Sequence, residues 1–399
     1  MTMNNTKEEK PCVTHGASMN SGESASLPRL GVPESTPCDQ VDPWLEIKIP
    51  HLKWNVAQVQ KHVGKTPIMA VVKCNAYGHG AVGIAKVLES QGIQQFAVVK
   101  VQEAVLLREQ GIQGILLNFG PFSAREAEQL VRHGITQSVY SETIDTLAAA
   151  AKRLKTTARV HVKVDTGLSR VGVPYPSAVA YLERLAAMPD IAMDGIFTTL
   201  TGEEDFDPIQ LERLKRVCDE AAAKGISVGV RHAASTDAVV TQASAFLDLV
   251  RPGNCFFGLE PLPPMELKPV LSLKTRVILV KTVGPGDTIS YHRRLTIDTP
   301  RRLAILPLGY ADGYPFQVVN KAEVLIRGRR WPVIVYMSGN HTTVDITGAE
   351  DIQIGDEVVV IGTQGDETIT LQEVAKWAES SVYKIATAMS PFLPRFFLE

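Results

Sequence analysis

The sequence predicts an α/β protein made of an N-terminal (β/α)8 TIM barrel followed by a C-terminal all-β domain. Up to about residue 262, short apolar runs alternate with stretches of roughly ten to fifteen residues at helical spacing, which is typical of βαβ units around a parallel sheet. After about residue 264, short strand-like runs are separated by turn residues, which is typical of all-β structure. The length of 399 residues is large for one core and favours two domains.

An alternation of strands and helices runs through the predicted barrel. Residues 44–49 alternate in polarity and predict a strand, whereas residues 68–72 form a continuous apolar run that predicts a buried strand. Further strands are expected at 95–99, 114–118, 137–140 and 158–165, with helices at 51–62, 81–91, 103–111, 123–133 and 144–154. The pattern fits eight βα units within about 250 residues, with an open doubly wound sheet as the alternative. No Gly-x-Gly-x-x-Gly motif after the first strand supports a dinucleotide site.

The second domain is predicted from short strand-like runs, which fall at residues 270–281, 302–308, 323–326, 331–336 and 357–362. No long helix is expected there before residues 371–378. The proline-rich segment Glu260-Pro-Leu-Pro-Pro marks the junction. We therefore expect a barrel domain over residues 43–264 and a β domain over residues 265–399.

The first 42 residues differ in composition from the rest of the chain. They are rich in Ser, Thr, Pro, Gly and Glu and contain few large apolar residues, so they cannot bury enough surface to offset the entropy of ordering. We expect residues 1–42 to be a disordered tail. This segment lacks the continuous apolar core of a signal peptide, and its acidic residues do not fit a transit peptide.

The composition is that of an ordinary soluble globular protein, with 45% hydrophobic and 21% charged residues. The formal net charge of -2 gives no reason to expect nucleic acid or a membrane surface as a partner, and no apolar run is long enough to span a bilayer. Five scattered cysteines favour free thiols in a reducing compartment, so we expect a cytoplasmic protein. Histidine, cysteine and aspartate never cluster at metal-ligand spacing, so we expect no metal site.

The most informative stretch is Val71-Val-Lys73-Cys-Asn-Ala-Tyr77-Gly-His-Gly80. Lys73 ends a predicted buried strand, which is a costly place for a charge unless the amine is used or its pKa is lowered. Catalytic groups of barrels lie at the carboxyl ends of the strands, and a desolvated lysine there can form a Schiff base with an aldehyde cofactor. The alternative is a lysine whose side chain merely reaches the surface.

This stretch resembles the lysine motif of alanine racemases, which bind pyridoxal 5'-phosphate; that family usually has alanine where Cys74 stands. Further matches extend from about Trp44 to the C-terminus, so the resemblance covers nearly everything except the tail. It implies the barrel and the β domain, a cofactor held by Lys73, an amino acid substrate, and a homodimer with shared active sites.

A second motif, Lys163-Val-Asp165-Thr-Gly-Leu-Ser-Arg170, is similar to the family's Lys-x-Asp-Thr-Gly-Met-x-Arg. The resemblance implies that Arg170 contacts the phenolic oxygen of the cofactor and the carboxylate of the substrate, as a planar guanidinium can. It also implies that Lys163 is carbamylated and holds Arg170 in place. The alternative is a structural ion pair between Arg170 and Asp165.

Two later motifs, His-Ala-Ala-Ser235-Thr236 and Arg-Pro-Gly253-Asn254, are similar to the phosphate-binding segments of the family. The Thr236 hydroxyl and the backbone N–H groups of Gly253 and Asn254 would hold the phosphate. Ser235 stands where the family has asparagine. The cofactor-binding residues implied by the resemblance are Lys73, Tyr77, Arg170, Thr199, Ser235, Thr236, Arg251, Gly253, Asn254 and Tyr383.

Two of these residues would face the cofactor ring. Arg251 matches the arginine that lies against the pyridine nitrogen. Because an arginine does not give up its proton at neutral pH, this residue favours a racemase over the related decarboxylases, which place an acidic residue there. Thr199 stands where the family has a histidine against the ring, and a threonine cannot stack on that ring.

The residues implied for the second base and for the substrate lie mainly in the β domain. Gly286-Asp-Thr-Ile-Ser-Tyr291 resembles the motif whose tyrosine acts from the neighbouring subunit, on the face of the substrate opposite the lysine. Tyr310 matches the tyrosine at the substrate entrance, and Gly339-Asn340 replace a Met-Asp pair that contacts the substrate from the partner subunit. We expect a pocket that accepts side chains larger than methyl, or a substrate other than a simple amino acid.

The function implied is a pyridoxal-phosphate-dependent racemase that interconverts L- and D-alanine or another amino acid, with Lys73 and Tyr291 of the partner subunit as the two bases. A decarboxylase or lyase of the same fold is the alternative with the same cofactor. The alternative from a different class is a non-catalytic relative that binds the cofactor or a metabolite. Thr199, Ser235 and the Gly-Asn pair keep that last alternative open.

Overall fold

A computed structural model describes residues 43–399; the disordered tail predicted over residues 1–42 lies outside the described residues. In the first part of the described chain, strands and helices alternate. The strands are β1 (Trp44–Lys48), β2 (Met69–Val71), β3 (Gln95–Val98), β4 (Ile115–Asn118), β5 (Thr136–Val139), β6 (Ala158–Asp165), β7 (Val173–Pro174), β8 (Ile191–Phe197), β9 (Val230–Ser235) and β10 (Leu249–Arg251). The helical segments are α1 (Ile49–Val63), α2 (Lys73–Tyr77), α3 (Ala81–Ser90), α4 (Val101–Glu109), α5 (Ala124–Arg132), α6 (Ile144–Arg153), α7 (Ala178–Ala186), α8 (Asp207–Ala223) and α9 (Thr236–Thr241).

Parallel strands from β2 to β10, with the short β7 set beside β6, form a closed barrel. Hydrogen bonding runs in the order β10-β9-β8-β6-β5-β4-β3-β2, and the two ends of this row meet. Ile68 and Val250 form a parallel bridge where they meet, and the Val71 N–H donates to the carbonyl of Pro252 at 2.8 Å. The predicted (β/α)8 barrel is therefore confirmed, and the open doubly wound sheet is excluded.

A small apolar cluster packs across the interior of the barrel. Register pairs neighbouring residues such as Val71 with Ala97, and Ala97 with Leu117, on the same side of the sheet. The members of this cluster are Met69, Val71, Ala97, Leu117 and Leu249. Burying one large aliphatic side chain contributes about 1.5–3 kcal/mol, so this packing holds the strands in place and thereby fixes their carboxyl ends.

The second part of the described chain is mostly β structure, as the sequence predicts. Its strands are β11 (Leu271–Arg276), β12 (Leu279–Val283), β13 (Thr288–Ile289), β14 (Leu295–Thr296), β15 (Arg301–Leu306), β16 (Glu323–Ile326), β17 (Arg329–Met337), β18 (Thr342–Asp345), β19 (Glu357–Gln364), β20 (Glu367–Ile369) and β21 (Arg395–Leu398). Two short helices, α10 (Leu371–Trp377) and α11 (Val382–Ala388), precede the last strand. The large sheet has the order β12-β15-β18-β17-β16-β19-β11-β1-β21 and is antiparallel except for the pair β1–β21.

The first strand lies in a different sheet from the one that the sequence suggested. Strand β1 falls within residues 43–264, which we assigned to the barrel, yet it pairs antiparallel with β11 and parallel with β21. Its alternating pattern is the physical reason: Leu45 and Ile47 are buried while Glu46 is partly exposed, whereas every residue of β2 is buried. Consequently, the C-terminal strand lies beside the strand that leads into the barrel.

Candidate active site

Lys73 lies at the carboxyl end of barrel strand β2, as the sequence predicts. The preceding residues Val71 and Val72 are buried, and Lys73 itself is half-buried. Its Nζ atom is 5.9 Å from the centroid of the Tyr77 ring. The lysine therefore points along the same turn that carries Tyr77, toward the end of the barrel where the active sites of this architecture lie.

The turn between Lys73 and Tyr77, labelled α2 above, has a left-handed backbone. The residues Cys74, Asn75, Ala76 and Tyr77 have φ angles of 55°, 56°, 52° and 51°. None of these residues is glycine, and a left-handed conformation costs about 1–2 kcal/mol for each such residue. The turn therefore needs specific contacts from the rest of the protein to hold it.

Three side chains supply those contacts. Glu103 accepts the Asn75 N–H at 2.9 Å, and the Asn75 side chain accepts the Ala81 N–H at 2.8 Å. The Nδ1 atom of buried His79 lies 3.0 Å from the Ala76 carbonyl oxygen and 2.9 Å from that of Tyr77, so it must carry the proton and donate it. Sequence reasoning missed the roles of Glu103 and His79, because nothing local in the sequence signals contacts with a left-handed turn.

The far side of this turn is held by the C-terminal segment. Gly78 has φ +86°, and a Cβ there would lie 2.0 Å from the Ala386 carbonyl oxygen, so only glycine fits against α11. Arg395, at the start of β21, donates from Nε to the Gly78 carbonyl at 3.0 Å. Burial lowers the pKa of Arg395 to about 10, which leaves it protonated and able to donate at neutral pH. The last strand of the chain thus helps to position the lysine turn.

The residues predicted to bind phosphate converge beside Tyr77. The Gly253 N–H donates to Thr236 Oγ1 at 3.0 Å, and a Cβ on Gly253 would lie 2.7 Å from the Tyr77 hydroxyl. Asn254 Nδ2 donates to the Tyr383 hydroxyl. Burial raises the pKa of both tyrosines, so their hydroxyls remain donors at neutral pH. A glycine cradle ringed by hydroxyl and N–H donors fits a phosphate group.

Glu260 is an additional member of this cluster that sequence reasoning did not identify. Its Oε2 atom accepts the Tyr383 hydroxyl proton at 2.9 Å. The Tyr383 hydroxyl thus accepts from Asn254 and donates to Glu260, which orients it beside the cradle. Glu260 lies in the proline-rich segment that we assigned only as a junction.

Arg251 is buried and makes three hydrogen bonds that fix its guanidinium. Its Nη2 donates to the carbonyls of Thr198 at 2.9 Å and Ala233 at 3.0 Å, and its Nη1 donates to His232 Nδ1 at 2.8 Å. His232 must therefore carry its own proton on Nε2, which donates to His161 Nδ1 at 2.8 Å.

This arrangement keeps the charge on Arg251 and leaves both histidines neutral. Burial lowers the pKa of Arg251 to about 9, so the guanidinium is still protonated at neutral pH. Burial, followed by the nearby charge of Arg251, lowers the pKa of His161 to about 4 and that of His232 well below its ordinary value. The result is a buried cation held by a neutral relay of two imidazoles, and sequence reasoning predicted only the cation.

Lys163 and Arg170 lie at the end of β6, near the same face. Lys163 is buried, with Nζ 5.5 Å from the centroid of the Phe197 ring. Burial and then the charges of Arg170 and Arg251 lower the pKa of Lys163 to about 8. Within the described residues, Arg170 is exposed and forms no ion pair with Asp165, whose Oδ1 instead accepts backbone N–H groups of the turn. The alternative of a structural ion pair is therefore wrong.

Thr199 and Ser235 are both partly buried at the same end of the barrel. Helix α8 positions the loop that carries Thr199, because Gln210 Nε2 donates to the Thr199 carbonyl and to Thr166 Oγ1, both at 3.2 Å. Arg213, one turn further along α8, donates from Nη1 to the Thr166 carbonyl at 2.7 Å. Gln210 and Arg213 thus link the Thr199 loop to the loop before Arg170, a role that sequence reasoning missed.

The β-domain residues form a separate group on the surface of the described chain. Tyr291 and Tyr310 are 63% and 53% exposed. They line a cavity of about 370 Å³ together with Gly339, and the Asn340 side chain next to it bonds to Asp312. None of the described residues that line this cavity comes from the barrel. The predicted site residues of one chain therefore fall into a barrel group and a β-domain group.

Two exclusions apply to the described part of the chain. No group of three or more His, Cys, Asp or Glu side chains between residues 43 and 399 could hold a metal ion. Over the same residues, no helix is both long enough and apolar enough to cross a membrane.

Comparison with known proteins identifies the family. Residues 47–261 match the family described as "Alanine racemase, N-terminal domain", and residues 270–397 match "Alanine racemase, C-terminal domain". The alanine racemase of Symbiobacterium thermophilum is 39% identical over 365 residues, which cover 89% of this chain and 96% of the relative. That of Halothermothrix orenii is 34% identical, with 88% and 96% covered.

Solved structures agree with this assignment. The alanine racemase of Clostridium difficile 630 matches with a TM-score of 0.84 at 30% identity, covering 90% of this chain and 96% of that chain. A histidine racemase from Leuconostoc mesenteroides matches with a TM-score of 0.82 at 24% identity, covering 93% of this chain and 100% of that chain. At this low identity the match supports the fold only. The chain therefore belongs to the alanine racemase family and is an amino acid racemase, which is an isomerase.

Proposed function

We propose that this protein racemises an amino acid with pyridoxal phosphate as cofactor and two bases, Lys73 of one subunit and Tyr291 of the partner subunit. The observation that carries the proposal is the division of the site within one chain. Lys73 and the phosphate cradle lie at the barrel end, while Tyr291 stands largely exposed on the β domain. A two-fold homodimer joins the barrel half of each chain to the β-domain half of the other, which completes two identical sites.

The barrel half has the donors that this cofactor requires. Lys73 would hold its aldehyde carbon, and the cradle of Thr236, Gly253, Asn254 and the Tyr77 and Tyr383 hydroxyls would hold its phosphate. When bound, pyridoxal phosphate supplies the electron sink that makes the Cα–H bond of an amino acid acidic. The described cysteines, Cys74, Cys218 and Cys255, are free thiols. Free thiols support a location in the reducing cytoplasm.

Arg251 favours racemisation over decarboxylation or elimination. The guanidinium keeps its proton at neutral pH, because even its lowered pKa of about 9 is above that range. His232 is neutral and accepts a hydrogen bond from Arg251 at Nδ1. Its one ring proton is on Nε2, which faces His161, so His232 has no proton to pass toward the cofactor. Arg251 would therefore donate a hydrogen bond to a ring nitrogen without giving it a proton, which would weaken the electron sink.

The two bases divide the proton transfer between the two faces of the substrate. Lys73 Nζ would remove or return the α-proton on one face, and the phenolic oxygen of Tyr291 of the partner subunit would do so on the other. Arg170, exposed and free of an ion pair among the described residues, would hold the substrate carboxylate by a planar guanidinium fork. Tyr310 lies beside the cavity where the substrate would enter.

Lys163 is suited to carbamylation by its electrostatic surroundings. Burial, followed by the charges of Arg170 and Arg251, lowers the pKa of Lys163 to about 8; Asp165 acts in the opposite direction and Lys73 adds to the lowering, so a positive charge is disfavoured at this position. The neutral amine can attack CO2, forming an N–C bond and losing a proton, which replaces a cation with an anion among three cations. The carbamate would then pair with Arg170 and hold it for the substrate.

The first prediction concerns Tyr291. Tyr291→Phe removes the hydroxyl and keeps the ring, so we expect kcat for racemisation to fall by about 10²–10⁴-fold, the usual loss for a general acid–base group. Because Lys73 still serves one face, exchange of the α-proton with solvent deuterium should persist for one enantiomer only. Proton NMR of each enantiomer measures this. Tyr181→Phe, which deletes a hydroxyl bonded to Ser141 instead, is the control. Equal exchange of both enantiomers in Tyr291→Phe would contradict the two-base proposal.

A second prediction follows from the lowered pKa of Lys163. A pKa of about 8 leaves about one-tenth of the amine neutral at pH 7 and about half at pH 8. At constant dissolved ¹³CO2, a carbamate ¹³C NMR signal should therefore increase from pH 7 to pH 8. The signal should be absent from Lys163→Gln and present in Lys155→Gln, an exposed lysine outside the site. A signal that survives in Lys163→Gln would place the carbamate elsewhere.

A third prediction concerns the Gly339-Asn340 pair. Since glycine leaves space beside Tyr310, we expect serine and at least one longer amino acid to be racemised with kcat/KM comparable to that for alanine. Gly339→Met should lower the kcat/KM for the longer amino acid, relative to that for alanine, by about 10-fold or more, because a filled pocket excludes extra side-chain atoms. Circular dichroism of alanine, serine, glutamate, lysine and arginine measures the rates. A strict preference for alanine in the unaltered protein would refute the wider pocket.

A further inference from the structure

The cavity beside Tyr291 has a distinctive set of polar groups. It carries a guanidinium, an imidazole, three phenols and a serine hydroxyl, and no carboxylate among the described residues that line it. Its lining consists of Tyr291, His292, Arg294, Tyr310, Tyr336, Ser338 and Gly339. Every polar side chain in this set can donate a hydrogen bond, and Arg294 adds a fixed positive charge.

Aromatic contacts give this cavity a rigid wall next to the second base. The rings of Tyr291 and Tyr336 meet edge to face with centroids 5.5 Å apart, and the guanidinium carbon of Arg294 lies 5.2 Å from the centroid of Tyr336. On another side, a Cβ at Gly339 would lie 3.8 Å from the Tyr310 hydroxyl, so any longer side chain there would fill the space in front of Tyr310. The cavity therefore extends from the base toward Arg294.

Arg294 has neither a carboxylate partner nor a hydrogen bond among the described residues, whereas Arg293, Arg302 and Arg395, which also lack an acid, donate to a hydroxyl or to carbonyl oxygens. In the same domain, four other arginines pair with acids at 2.6–3.2 Å, namely Arg301 with Asp345, Arg327 with Asp356, Arg329 with Asp351, and Arg330 with Glu323, Glu367 and Glu373. Among residues 43–399, Arg294 forms no ion pair and only stacks on Tyr336. Its hydrogen-bond donors are thus available to a group that enters the cavity.

We propose that this cavity is the side-chain subsite and that the substrate is an amino acid whose side chain is longer than methyl and ends in a carboxylate, bound by Arg294. This inference rests on the proposed function, because it places the substrate α-carbon at Tyr291. A carboxylate gains a charge-assisted, planar pairing with the guanidinium, and the His292 imidazole, which lines the same cavity, can donate to a remaining lone pair. A cationic side chain would meet Arg294 with no acid to offset the repulsion.

Two comparisons of kcat/KM with the holoenzyme test the inference. The kcat/KM for glutamate should exceed that for lysine by at least about 10-fold. Arg294→Gln should lower the ratio of kcat/KM for glutamate to kcat/KM for glutamine by about 10- to 100-fold, as expected for a charge-assisted bond. Arg293→Gln removes the same charge from the adjacent residue, which does not line the cavity, and should leave that ratio unchanged. Calorimetric titration of glutarate, which cannot react, should show weaker binding to Arg294→Gln than to Arg293→Gln.

Several results would overturn the inference. A preference for lysine or arginine over glutamate contradicts it, and so does a glutamate-to-glutamine ratio that Arg294→Gln leaves unchanged. If Arg294 instead pairs with a carboxylate of the partner subunit, Arg294→Gln raises the dissociation constant of the dimer and leaves the glutamate-to-glutamine ratio of kcat/KM unchanged. That result would also overturn the inference. Racemisation of alanine without glutamate overturns this inference alone, whereas racemisation of no amino acid in the panel overturns the proposed function as well.

Discussion

The left-handed turn after β2 is the constraint on which the active site depends. Four consecutive non-glycine residues adopt a backbone that costs about 1–2 kcal/mol each, and the contacts of Glu103, His79 and Arg395 offset that cost. This turn carries Lys73 at one end and Tyr77 at the other, so a single local conformation sets the position of the amine and of one wall of the proposed phosphate cradle. Loss of the turn would misplace both together.

The position of β1 and β21 explains how the two domains share this task. Because β1 pairs with β21 in the β-domain sheet and runs directly into α1 of the barrel, the C-terminal strand lies close enough for Arg395 to donate to Gly78. The β domain therefore supports the lysine turn of its own chain through Arg395, while Tyr291 of the same domain is largely exposed. This division of roles supports the proposal that two copies of the chain complete one site.

The features that can be predicted from the sequence are those with a signal in a short, continuous stretch of residues. Strand and helix periodicity predict the barrel, and the motifs around Lys73, Thr236, Gly253 and Arg251 predict the cluster at its carboxyl end. Contacts set by tertiary packing are not predictable in this way: the His232–His161 bond joins residues 71 apart, and Glu103 reaches a turn on another element. The placement of β1 was wrong, although the alternating burial of Leu45, Glu46 and Ile47 carried the signal for a sheet with one covered face.

The most direct test of a shared site is complementation between two inactive variants. Lys73→Ala and Tyr291→Phe each lack one base, so a heterodimer of the two has one site with both bases and one with neither. Random subunit exchange makes about half of the dimers mixed, so racemase activity should recover to about a quarter of the unaltered level. Recovery to that level would establish that Lys73 works with Tyr291 of the partner subunit. Activity that stays at the level of the parent variants after exchange would contradict the account.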